Sequence, residues 1–497
     1  MQTAPPYREM IFFLVVYAVL YLAWNLTGGS FRVYPDLWQL LPWPPLLDDL
    51  GRSLLDLHGQ PPLLNLLFGL ALKVSARFGV SVEILLQPVF FLIGAVSVAS
   101  LSFVSSHIVH RPYVRRTVLL LIIANPYFQA VHNYMFYTAW EICCLSLIAL
   151  FTLRYFEHPT PSRFAAILAP AVLLVYTRSL FHPLWFALLM VLLLLLGRRS
   201  PQFSGLRLQA VACVVALILV AVWPLKNLAR FGFFGLSSWS GLSMARGLPT
   251  GEPLLPSGYP ARLAAFARSG PEPPDPSSVA AAQSMVPPRF RGSPVLAEIT
   301  KPDGSPNWNH YAMIPLSRQL GVAAVEQLRR DPWLLPLKAV DFYLNGYSVY
   351  EARWPYERGL APEMTTGDTW AGLYELVVFQ RFRPYDPTVT RISTGFAITF
   401  PVLMIAAGIV LWRRPWGATE GTVVVMLLSI AWVLALVLFV DGPEGNRVRF
   451  STEPYLFLVA GWLLGRMPAG RMEPTGQGDI GHSGDDSSET SIPRSGN

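Results

Sequence analysis

Between residues 10 and 26 the chain reads MIFFLVVYAVLYLAWNL, an apolar run with no polar face at either helical or strand spacing. Comparable runs cover 82–105, 117–133, 138–155, 165–178, 182–196, 208–225, 393–412, 420–440 and 452–466. A membrane-spanning helix needs about 17–25 predominantly apolar residues. The pattern therefore predicts an all-α polytopic membrane protein with about ten transmembrane helices. The first run follows Arg8, and Trp24 and Asn25 stand where a signal-peptide cleavage site would carry small residues, so it is predicted to be an uncleaved span.

Three stretches fall between or after the spans. Residues 27–81 form a first loop, 226–392 a long segment rich in Pro and Gly, and 441–454 a short late loop. Residues 467–497 are almost devoid of apolar positions and are predicted to be a disordered tail. In the first loop, 46–57 (LLDDLGRSLLDL) reads as an amphipathic helix lying in the membrane interface. Leu46, Leu47, Leu50, Leu54 and Leu57 would share one face, and Asp49, Arg52, Ser53 and Asp56 the other. The HGQPP corner then ends it, because Pro61 pushes Gln60 out of helical geometry and Pro62 can open the next helix. A second interfacial helix, LLNLLFGLALKVSARFG, is predicted to follow, with His58 and Gln60 presented near the carboxylates of the first.

Composition sharpens this picture. The chain is 53% hydrophobic and 14% charged over 497 residues, where a soluble domain carries about 25% charged residues. The net charge of +7 does not point to nucleic acid, because the basic residues cluster at span ends. The clusters lie at 107–116, 153–164, 197–207, 412–417 and 465–471. Placing them all in the cytoplasm puts both termini inside, and puts 27–81, 226–392 and 441–454 outside, in an inner (plasma) membrane. Cys143, Cys144 and Cys213 fall within apolar runs and form neither a disulfide framework nor a metal-binding spacing.

The order of motifs resembles the GT-C superfamily of integral-membrane glycosyltransferases, which includes the protein O-mannosyltransferases and the bacterial aminoarabinose transferase. Those enzymes follow the first span with a large external loop. It holds an early acid and, about 25 residues later, an HPPL or KPPL corner. Here Asp36, in VYPDLW, precedes Pro61 by 25 positions, within GQPPLLNLLFGLALK. The family pattern continues with an NP-plus-aromatics stretch and an acid opening the fourth span. This chain has ANPYFQAVHNYMFYTAWEICCL, with Glu141 in that place. The late loop EGNRVRFSTEP is similar to the family's NRFRFP region. The resemblance covers 1–225, a module with a catalytic first loop at 27–81, and by pattern 393–466. The family often carries paired acids directly after the first span. Here that zone has one acid, and a pair appears later as Asp48-Asp49, which leaves the identity of the catalytic acid open.

The resemblance implies a polyprenyl-phosphate-linked sugar as donor and a lipid, glycan or protein hydroxyl as acceptor. It implies inverting displacement at the extracytoplasmic face and membrane lipids as partners, and it leaves a divalent cation open. The base that takes the acceptor proton would be Asp36, Asp49, Asp48 or Glu141. Arg178, with His182 one turn on, would meet the donor phosphate, as would Arg447 and Arg449 with Glu444 and Asn446 beside them; Arg is suited to bidentate phosphate contacts. His58 and Gln60 would line the same site. Glu141 lies at the membrane boundary and needs a partner, for which Arg178 and His132 are the candidates. The main rival is a transporter or flippase of envelope lipids or solutes, and a non-catalytic envelope scaffold is a third reading. Transporters usually show internal repeats, and none is evident here.

Overall fold

The computed structural model describes residues 6–26, 30–200, 202–246, 248, 280, 282–344, 394–414, 416–441 and 448–466. Within them every regular element is helical, apart from isolated bridges pairing Arg32 with Tyr134 and Thr300 with Pro306. The helices are α1 Pro6–Leu26, α2 Trp43–Asp48, α3 Leu50–Asp56, α4 Leu63–Phe78, α5 Val82–Ile108, α6 Pro112–Ile123, α7 Pro126–Val131, α8 Tyr137–Glu157 and α9 Pro161–Thr177. They continue as α10 Pro183–Gly197, α11 Leu206–Phe231, α12 Ser240–Arg246, α13 Pro294–Ala297, α14 Met313–Arg330, α15 Leu334–Phe342, α16 Thr394–Trp412, α17 Ala418–Leu436 and α18 Glu453–Arg466.

The side-chain distribution is that of a bundle in lipid. On α11, Val211, Val214, Val215, Ile218, Leu219 and Val222 make an exposed stripe at helical spacing, while Cys213, Ala216, Val220 and Trp223 face inward. On α1, Ile11, Phe12, Val15, Val19 and Leu22 are exposed and Phe13, Tyr17, Tyr21 and Trp24 are buried. Contiguous apolar surface on this scale is foreign to a protein surrounded by water. The polar side chains lie inside: Ser97, Ser146 and Ser429 are buried and donate to the carbonyl one turn back in their own helices. By length and composition, five helical segments among the described residues can cross a membrane: Tyr7–Leu26, Val82–Ile108, Tyr137–Glu157, Leu206–Phe231 and Ala418–Phe439. Pro161–Thr177, Pro183–Gly197 and Phe396–Trp412 are shorter apolar helices.

Two helix predictions are corrected. The run 117–133 is not one span, because Asn125 interrupts it. Its side chain accepts from Tyr127 N–H to cap α7, and Pro126 supplies the first residue. The remaining α6 has 12 residues, roughly 18 Å of rise. The run 46–57 is likewise not one helix. Asp49 ends α2 and its carboxylate caps α3 by accepting from Arg52 N–H at 3.0 Å. Nor is its polar face wholly solvated, since Ser53 and Asp56 are buried.

The basic clusters collect at one end of the bundle. There Arg115 and Arg116 pair with Glu9 at the start of α1, Arg154 with Glu157, and Arg466 at the end of α18 with Glu420 at the start of α17. Arg199 stacks over Trp416, joining the α10–α11 turn to the α16–α17 turn. The first loop and the 232–344 segment lie at the other end, termed the loop end below, and are knitted together. Buried Asn65 on α4 accepts from Leu41 N–H and donates to Gln39 O, both at 2.8 Å. Buried Lys301 donates to the carbonyls of Pro35 and Leu37, at 2.9 and 2.6 Å.

In the 232–344 segment, α12 crosses α14 with no room for a side chain at the crossing. A Cβ on Gly241 would sit 1.9 Å from the Ser317 carbonyl oxygen. Backbone cannot swing aside as a side chain can. Gly241→Ala is expected to lower stability by at least the ~1–3 kcal/mol typical of overpacking, read as a reduced unfolding midpoint of the detergent-solubilised protein.

Candidate active site

At the loop end an open cavity of about 1000 Å³ is lined by the first loop, the ends of the membrane helices and α14. Trp38, Gln39 and Gln60 line it from the first loop. Tyr137, Arg178, His182, Trp432 and Leu436 line it from helix ends, and Arg318, Glu326 and Arg329 from α14.

Arg178 sits where α9 stops. Its backbone is extended, its N–H closes the last turn on Leu174 O, and its side chain turns inward, 5% exposed. One guanidinium nitrogen is 3.3 Å from Oε1 of fully buried Glu141, and the guanidinium lies 4.4 Å over the Tyr137 ring. Tyr137 opens α8 and Glu141 follows one turn later, so a single helix start supplies both partners. The chain leaving Arg178 is pinned by Trp432 Nε1–H donating to Leu180 O at 2.9 Å. Desolvating two charges is costly unless their geometry repays it, so an ion pair retained here marks a site where charge is needed. His182 is exposed at the head of α10, and its Nδ1 accepts from Leu184 N–H at 3.2 Å, which leaves the ring hydrogen on Nε2.

The other sequence-predicted residues are dispersed. Asp36 is half-buried in the turn that Lys301 braces from both sides, and it does not line the cavity, although Trp38 does. Asp48 and Asp49 are exposed, and Asp49 is engaged as a helix cap. His132, the alternative partner for Glu141, instead bonds Phe128 O through Nδ1 at 2.6 Å. Arg449 is fully buried in a separate cluster, 3.7 Å from Glu453 and stacked over Phe396 and Phe450, with Asn125 donating to Glu453 at 3.0 Å. Glu444, Asn446 and Arg447 lie outside the described residues.

His58 is not presented to the cavity. It is fully buried, with Nδ1 2.7 Å from Ser238 Oγ and its backbone N–H donating to Asn309 Oδ1 at 2.8 Å. Burial pushes its pKa down from 6.5 to about 3, reinforced by the nearby Lys226 and His310 and opposed by the Asn309 bond. His310 is also buried, and its pKa is pushed down to about 4. Unfolding releases both to their ordinary range, so below that range the unfolded chain binds more protons and stability falls with pH. The loss is expected as pH drops from about 6.5 toward about 3. His58→Gln should give a lower unfolding midpoint that varies less over that window, and an unchanged slope would contradict the assignment.

Sequence reasoning missed the knot beneath this corner. Asp56 is fully buried; its Oδ1 accepts from Arg230 Nε at 2.8 Å and from the same residue's terminal nitrogen, and its Oδ2 accepts from Ser293 Oγ at 2.5 Å. Asn309 Nδ2 donates to Asp56 O at 3.0 Å, and Lys226 donates to Leu55 O and Leu57 O. One signal was present: Asp56 is flanked by Leu54, Leu55 and Leu57, an apolar setting for a carboxylate. The second glycine to matter is Gly59, where a Cβ would come within 2.8 Å of the Trp239 ring. The corner thus uses His58 to hold Ser238, Gly59 to admit Trp239, Gln60 to face the cavity, and Pro61-Pro62 to start α4.

No family model matches the chain, and no curated protein matches it. Among solved structures, the crystal structure of ArnT from Cupriavidus metallidurans bound to undecaprenyl phosphate aligns at 13% identity with a TM-score of 0.34, over 91% of this chain and 77% of that one.

Proposed function

We propose that the chain is a membrane glycosyltransferase that moves a sugar from a polyprenyl-phosphate donor to an acceptor hydroxyl at the loop end, with inversion. The observation that carries this reading is Arg178, paired with the fully buried Glu141 behind it, in the wall of a large cavity where membrane helices meet the loops. A guanidinium there suits a phosphate whose lipid tail lies among the apolar helix faces. Glu141 and Tyr137 hold it in one orientation before the donor arrives, which limits reorganisation as charge develops on the leaving phosphate.

In the reaction, the acceptor oxygen attacks the anomeric carbon from the face opposite the phosphate. The carbon–oxygen bond to phosphate breaks, and its electron pair leaves on polyprenyl phosphate. The acceptor proton passes to a carboxylate. Among the acids considered, Asp36 is favoured because its turn is braced by Lys301 and leads within two residues into the cavity wall at Trp38. Glu141 is engaged with Arg178, and Asp48 and Asp49 are exposed. Among the described residues no group of three or more His, Cys, Asp or Glu side chains is placed to hold a metal ion.

The test is Asp36→Asn in detergent-solubilised protein supplied with a polyprenyl-phosphate sugar and a panel of acceptors. Turnover should fall by about 10²–10⁴, the worth of a general base, with the unfolding midpoint and donor binding retained. Full turnover would remove Asp36 from the role.

A further inference from the structure

We infer that the wall of the cavity formed by Trp38, Trp239, Gln39 and Gln60 is a subsite for a pyranose ring. The inference rests on the transferase reading above and adds to it what this part of the wall recognises. Trp38 stacks on Trp308 with ring centres 4.8 Å apart and planes at 26°, and Trp239 meets Trp308 edge-on at 5.9 Å. Trp308 is buried, while Trp38 and Trp239 are half-buried and form cavity wall. Trp239 is fixed at several points: Nε1–H donates to Trp308 O at 3.1 Å, its backbone N–H donates to Ser237 Oγ at 3.0 Å, and Gly59 packs beneath the ring. An aromatic surface held this firmly loses little freedom when a ligand lands on it.

Beside it are two neutral amides. Gln39 is nearly buried, and its backbone carbonyl is anchored by Asn65. Gln60 is half-buried and also lines the cavity. Broad aromatic faces next to neutral donors and acceptors match a ring with apolar C–H faces and a rim of hydroxyls. The set does not match an anion, for which Arg178 and His182 are placed elsewhere in the same cavity. Nor does it match an acyl chain, which would leave both amides unpaired.

The pyranose could be the donor's sugar or an acceptor's, and one experiment separates them. Wild type, Trp38→Ala, Trp38→Phe and Gln60→Leu are compared in detergent for binding of three probes: a methyl glycopyranoside panel by saturation-transfer NMR, sugar-free polyprenyl phosphate, and polyprenyl-phosphate sugar. Trp38→Ala and Gln60→Leu are expected to weaken sugar-bearing probes about tenfold, while sugar-free polyprenyl phosphate binds as in wild type. Trp38→Phe, which keeps a ring, should recover part of the loss. A loss confined to the methyl glycosides assigns the ring to the acceptor, and a loss that includes the polyprenyl-phosphate sugar assigns it to the donor. Equal weakening of sugar-free polyprenyl phosphate, or sugar binding unchanged in folded variants, overturns the subsite. Glycoside binding lost as expected in the variants, together with a wild-type protein that binds glycosides but never releases polyprenyl phosphate, would instead overturn the transferase reading alone.

Discussion

Arg178→Met is expected to abolish turnover and to destabilise the protein by about 3–5 kcal/mol, the cost of stranding one partner of a buried ion pair. Glu141 is fully buried, and removing the guanidinium 3.3 Å away leaves a carboxylate that must be protonated or hydrated in place. The paired variant Glu141→Gln, Arg178→Met strands no charge and should recover most of the stability, because replacing a buried pair by neutral groups is often close to neutral. It should recover none of the turnover, because the phosphate then meets no cation. Thermal unfolding and product release measured on the same preparations separate the two effects. Stability that fails to return in the double variant would show that Glu141 and Arg178 are not energetically coupled.

The second large effect is expected at Asp56. Asp56→Ala removes the acceptor for the partly exposed Arg230 and for buried Ser293, so a loss of about 3 kcal/mol is predicted. Asp56→Asn keeps the volume and one acceptor, and should cost less, about 1–3 kcal/mol. The knot joins the first loop to α11 and to the 293–309 stretch, which also present Gln60, Ser238 and Trp239 to the cavity. Asp56→Ala is therefore expected to raise the KM for the sugar substrates as well as lowering the unfolding midpoint. Unfolding at the wild-type midpoint would mean that the knot does not hold the two segments together.

The fold was largely legible because lipid-facing helices are long and apolar throughout. Nine of the ten predicted spans each fall on one helical segment, and five of those segments are long and apolar enough to cross a membrane. The tenth fails at Asn125-Pro126, where a capping side chain and a proline override an apolar run. The pairing of Glu141 with Arg178 was legible for a related reason: a charge at the membrane boundary needs a partner, and few partners are available there. Arg178, His182 and Gln60 were legible in the cavity wall, but the knot at Asp56 was not. Asp56 meets Arg230 and Asn309 across separations of 174 and 253 residues, and such contacts leave no periodic trace in the chain. The same blindness put His58 in the site, when its neighbours Ser238 and Asn309 draw it into the core.

The most direct test of the central claim is release of free polyprenyl phosphate by the purified wild-type protein from a polyprenyl-phosphate sugar, with and without acceptor. The account predicts acceptor-dependent release in wild type, and binding of sugar-free polyprenyl phosphate that is weakened when Arg178 becomes Lys in a protein that still folds. Donor carried across a proteoliposome membrane with its sugar–phosphate bond intact, or release indifferent to Arg178, would contradict it.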